Sequence, residues 1–91
     1  MFALGEGIYR VAGSTPLSRI DEAFGVQLQD HAERTHEAHF ETIAGLIAHE
    51  KGHVPKRGET HRVGGLHFST LHTKSGVVRW FRVTAIEDAK T

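Results

Sequence analysis

The 91-residue chain carries 11 Lys and Arg against 11 Asp and Glu, a formal net charge of zero with histidine neutral. That balance argues against a nucleic-acid footprint, and the lack of cysteine excludes disulfides, thiol catalysis and Cys-type zinc sites. The length allows one domain with a small core, no apolar run reaches the ~20 residues of a membrane span, and residues 1–5 lack the basic start and long apolar stretch of a signal peptide.

Residues 1–7 read as a lead-in. Ile8-Tyr9-Arg10-Val11-Ala12 is β-branched and aromatic, which predicts a short strand. Gly13-Ser14 turns the chain. Thr15 is a suitable N-cap and Pro16 a suitable first residue for a helix in which Leu17, Ile20 and Phe24 form one apolar stripe. Asp21 and Glu22 are expected to face outward, and Gly25 to stop the helix. Val26 and Leu28 alternate with polar neighbours and suggest a short extended piece. Residues 29–38 show no clear apolar period and read as a surface connection with at most a frayed helical turn.

Phe40, Ile43, Ala44 and Ile47 return to helical spacing, with Leu46 beside them, and predict the strongest helix of the chain. Gly45 inside it suggests the close approach of another backbone, such as a strand beneath. Gly52 is placed to end it, with Pro55 beyond. The remainder is β: residues 60–63 and 66–73 around Gly64-Gly65, then 77–84 after Ser75-Gly76. The expected fold is α+β, two helices packed on a mostly antiparallel sheet in the order strand, helix, helix, three-strand meander. Residues 8–86 form the domain and 87–91 a loose tail.

Eight histidines are the compositional outlier. His49-Glu50-Lys51-Gly52-His53 satisfies H-E-x-x-H, the zinc-peptidase string. That chemistry needs a continuous helix, so that both histidines point one way with the glutamate polarising metal-bound water. Gly52 falls where the helix should stop. A left-handed glycine there would carry His53 away from His49. No catalytic residue is assigned. The metal candidates are the pair His36 and His39, three apart in what otherwise reads as a polar loop, and the pair His49 and His53. His67 alternates with Leu66 and Phe68 and should face solvent. Arg79, Trp80 and Arg82 put cations and an aromatic ring on the last strand, a partner surface or a cover for the core edge. With Val78, Trp80 and Arg82 exposed on a terminal strand, a homodimer paired across that edge is also open.

Three stretches together resemble the CorC/HlyC transporter-associated domain: "YRVAGSTPLSRIDEAFGVQL", "FETIAGLIAHEKGHVPKRGE" and the ending "LHFSTL…VVRWFRVT". Tyr9, Arg10, Val11 and Gly13 match the family's opening. Thr42, Ile43, Gly45 and Leu46 match its helix. Gly52, Val54, Pro55 and Gly58 match its Gly-x-Ile-Pro-x-x-Gly step. The acidic residue that usually precedes the opening glycine is Ala12 here, so any role of that carboxylate is missing.

The resemblance implies a fold similar to part of the PCMH-type FAD-binding fold. It implies a non-catalytic accessory domain that follows CBS domains, and in some parents a membrane domain, in magnesium and cobalt efflux or hemolysin-like proteins. The location implied is cytoplasmic, with no nucleic-acid partner and no required cofactor. A small-ligand sensor for flavin, an adenine nucleotide or a divalent metal is the alternative.

Overall fold

The structure, a computed structural model, describes residues 1–36 and 40–85. Among them the elements run β1 (Phe2–Gly5), β2 (Ile8–Ala12), α1 (Leu17–Phe24), α2 (Leu28–His36), α3 (Ile43–Lys51), β3 (Thr60–Val63), β4 (Leu66–Lys74) and β5 (Val77–Ala85). The strands form one antiparallel sheet in the order β1-β2-β5-β4-β3. The α+β architecture and the β3–β4–β5 meander are as expected from sequence. The proposed tail, 87–91, lies outside the described residues.

One face of the sheet carries the core. Val11, Val63, Leu66, Phe68, Val78, Phe81 and Val83 meet Leu17 and Ile20 of α1, Leu28 and Ala32 of α2, and Ile43, Leu46 and Ile47 of α3. Phe68 and Phe81 pack edge to face at 5.6 Å. Burial of these aliphatic and aromatic groups is the main favourable term.

The sequence reading differs from the structure at five places, each for a local reason. First, the lead-in holds β1, which pairs with β2; its residues are all exposed, so it has no buried pattern to read. Second, α1 is capped by Pro16 in extended geometry with no side-chain cap, while Thr15 is buried and gives its carbonyl to the Ile43 N–H at 3.1 Å.

Third, residues from Leu28 onward form a helix. Its start is held from outside by Asp21, whose carboxylate accepts from the Leu28 N–H at 2.6 Å and the Gln29 N–H at 3.2 Å. Those two amides are among the orphan donors of any helix N-terminus. Asp21 therefore does not face outward, and Leu28 is a buried anchor rather than part of an extended piece.

Fourth, the close backbone approach is at Gly13, not Gly45. A Cβ on Gly45 would meet only the Thr42 hydroxyl, at 3.3 Å, and the Phe40 ring. A Cβ on Gly13 would run into the Val78 carbonyl oxygen, with Ala44 also in reach. Gly13 donates its N–H to Arg79 O (2.9 Å) and accepts from the Ala44 N–H (3.0 Å), tying β5 to the start of α3. Fifth, β5 is the central strand, flanked by β2 and β4, so it has no free edge with which to pair a second copy.

Gly13→Ala should lower unfolding free energy by about 2–3 kcal/mol, because the obstacle is backbone that cannot rotate aside. Urea denaturation would measure it, with Gly45→Ala as the milder comparison.

Candidate functional site: a histidine–glutamate cluster at the end of α3

The string His49-Glu50-Lys51-Gly52-His53 occupies the last turn of α3 and its exit. α3 starts at Thr42, whose hydroxyl accepts from the Gly45 N–H at 3.2 Å. It ends at Gly52, left-handed at φ 80°, whose N–H returns to Ala48 O and His49 O. A residue with a Cβ would be strained in this conformation.

The side chains then diverge. His49 is exposed and lies against the Phe40 ring at 4.9 Å. His53, past the glycine, sits 3.0 Å from Glu59 Oε1. The zinc-peptidase arrangement therefore does not form: the helix stops between the two histidines and each takes its own partner. His36 is the last residue of α2; its side chain and His39 lie outside what is described. Among the described residues no group of three or more His, Cys, Asp or Glu side chains is arranged to hold a metal ion.

Glu50 has a different role from the one the string suggests. Its side chain is only 11% exposed, and each oxygen meets a histidine: Oε1 is 2.7 Å from His61 Nε2 of β3, and Oε2 is 2.8 Å from His31 Nε2 of α2. An ionised carboxylate can only accept, so an imidazole facing it donates from Nε2. One carboxylate thus joins α2, α3 and β3. No spacing rule finds this trio, because its members come from three elements.

Beside it lies a second cluster. Lys51 Nζ donates to Thr60 O at 3.1 Å and pairs with Glu59 Oε1 at 3.5 Å. Glu59 Oε2 accepts from the Lys56 N–H at 2.8 Å. The Lys56 amide, then the His53 hydrogen bond, hold the Glu59 carboxyl down at about 2, from an ordinary value of 4.5.

The family-motif residues are mostly structural. Tyr9 packs edge to face on Phe24 at 5.2 Å, and Val11 is fully buried. The Arg10 guanidinium lies 4.1 Å from the Trp80 ring centroid. Pro55 is buried, and Gly58, at φ 91°, donates its N–H to Thr70 O at 2.9 Å. Ala12, where the family usually has a carboxylate, lines an open hollow of about 490 Å³ with Gly13, Ser14, Arg79 and Trp80.

The family model of the transporter associated domain, CorC_HlyC, matches residues 2–87. The chain belongs to that family. Among solved structures it is similar to the putative Mg2+ and Co2+ transporter (CorC) associated region of Neisseria meningitidis MC58. That match has 28% identity and a TM-score of 0.78, over 92% of this chain and 95% of that one. A CorC_HlyC domain of a Xylella fastidiosa Temecula1 hemolysin, in complex with Mg++ and Mn++, shares the fold at 15% identity. It covers 96% of each chain with a TM-score of 0.75. So does the transporter associated domain of a CBS domain protein from Porphyromonas gingivalis, with 23% identity, TM-score 0.73, and coverage of 92% and 94%. No curated protein matches the chain. The CorC_HlyC domain is an accessory domain of transporter and hemolysin-like proteins and is not known as catalytic. No helix among the described residues is long and apolar enough to cross a membrane.

Two outcomes test the cluster. Glu50→Ala should cost about 2 kcal/mol and Glu50→Gln about 1, since glutamine keeps one accepting oxygen; chemical denaturation reads both. Glu59, with its folded value below its unfolded one, stabilises the domain fully above about pH 4.5, and that stability is lost as pH falls toward about 2. Glu59→Gln should flatten the melting-temperature profile in that window.

Proposed function

We propose that this chain is a non-catalytic accessory domain that modulates a magnesium or cobalt efflux protein, or a hemolysin-like relative, from the cytoplasmic side of the membrane. The observation that carries the reading is the family match over residues 2–87, with the 28%-identical Neisseria domain beside it. CBS domains are the proposed neighbours in the parent protein, supported by the Porphyromonas relative. The divided fates of His49, Glu50 and His53 favour a regulatory role over hydrolysis. Glu50 is engaged by two imidazoles from α2 and β3, so it does not stand between two helix-borne histidines as the zinc-peptidase string would require.

A second reading, a divalent-metal sensor, draws on the Mg++ and Mn++ complex of the Xylella domain. Magnesium takes oxygen ligands. In this chain the Glu50 and Glu59 oxygens are already taken by imidazoles, an ammonium and an amide, which fits such an ion poorly. Imidazole donors would favour cobalt, nickel or zinc instead.

Deleting the segment that encodes this domain should change cellular cobalt tolerance, and supplying it again should restore it. Unchanged tolerance and unchanged cellular magnesium and cobalt would overturn the accessory role. So would peptidase turnover by the purified chain that Glu50→Gln abolishes. Melting the chain with magnesium, manganese, cobalt, FAD and AMP separates the readings: a true ligand at 100 times its Kd should stabilise by about 2.7 kcal/mol.

A further inference from the structure

The helices cover one face of the sheet. The strand register fixes what stands on the other. Arg62 and His67 share one cross-strand row with Thr84. Arg82, Arg10 and Phe2 share the next. His72 and Trp80 share a third with Ala12. No carboxylate stands in any of these rows, although the chain as a whole is neutral. Among the described residues of these rows, all the formal charge is therefore positive.

Two features make the face more than a solvated surface. Arg10 and Arg82 are direct cross-strand partners, and like charges so placed repel. A bound anion between them would relieve that repulsion. The apolar groups beside them are large. Phe2 is 59% and Leu4 54% exposed, the Phe2 ring lies 6.0 Å from Trp80, and Leu4, Leu71 and Trp80 line a shallow depression together with Arg10.

Cations interleaved with Trp, Phe and Leu on one sheet face match the interfacial layer of a bilayer, where phosphates and acyl chains lie within a few ångströms of one another. A single-stranded nucleic acid would stack bases on an open ring, but Arg10 already covers one face of Trp80. We propose that this sheet face docks on an anionic lipid surface. Arg10, Arg62 and Arg82 meet headgroup phosphates, and Phe2, Leu4 and Trp80 enter the headgroup layer. This docking does not depend on the accessory-domain reading, and its failure would leave that reading untouched.

The chain's single tryptophan is Trp80, so its emission reports on this face alone. The 91-residue chain is mixed with vesicles of phosphatidylcholine containing about 30% phosphatidylglycerol, and with vesicles of phosphatidylcholine only. The expected result is a blue shift and co-sedimentation with the anionic vesicles alone, both reversed by about 0.5 M salt. The double variant Arg62→Gln/Arg82→Gln should weaken partitioning about 30-fold with an unchanged or higher melting temperature, since it removes repulsion and leaves the Arg10–Trp80 stack in place. Equal binding to neutral vesicles, or no binding to either, overturns the proposal. A Trp80 shift with polyglutamate but not with vesicles overturns it in favour of an acidic polypeptide. A shift that grows with protein concentration alone overturns it in favour of a second copy of the chain.

Discussion

The fold depends on the meeting of residues 13–17 with residues 41–44. Both strips run from irregular backbone into the first residues of a helix, where buried amides and carbonyls must find partners. They find them in each other: the Ala44 N–H donates to Gly13 O, the Ile43 N–H to Thr15 O, and the Leu17 N–H to Glu41 O. The start of α1 is thereby stitched to the start of α3, and the Gly13 N–H fastens the seam to β5 through Arg79 O. The approach is so close that a methyl group at position 13 has no room, which gives the family's opening glycine a steric reason. Ile20, Ile43, Leu46 and Ile47 are then brought over Val11, Val78 and Phe81. With the seam loosened, the helices would lose their register over the sheet.

The sequence was most readable where a pattern is local. The glycines that stop α1 and α3, the two meander turns, and the apolar spacing of Ile43, Ala44 and Ile47 each depend on neighbours within a few residues. It was least readable where the deciding partner is distant. Among its described side chains α2 buries only Leu28 and Ala32, and two of its N-terminal amides are satisfied by Asp21 from the preceding helix, so neither periodicity nor a local cap announces it. β1 has no buried side chain, so no alternation marks it. From sequence, Trp80 fits either a cover for the core edge or a partner surface. Its register opposite His72 and Ala12 places it on the helix-free face.

The candidate site shows the same division. The backbone part of the zinc-peptidase test, a glycine stop before the second histidine, followed from sequence. The true partners of the carboxylate did not, since His31 and His61 are 19 and 11 residues away. What resembles a catalytic string is a set of ties. Glu50 joins two helices and a strand, and Glu59 collects Lys51, His53 and the Lys56 amide around the loop that leads to β3. Such ties hold elements together across the fold.

The strand order has a consequence for how the chain is made. β2 lies near the start of the sequence and β5 near its end, yet they are neighbours in the sheet, with Arg10 opposite Arg82. During synthesis the opening hairpin and the helices are complete long before the strand that should receive them exists. Until β5 emerges, Val11 and the apolar sides of α1 and α3 lack the surface they are built to cover. Folding of the domain must therefore wait until β5 has emerged, and such long-range pairing closes slowly. A ribosome that stalls before the last strand would release a product without a centre, a natural substrate for chaperones and proteases rather than a shortened domain.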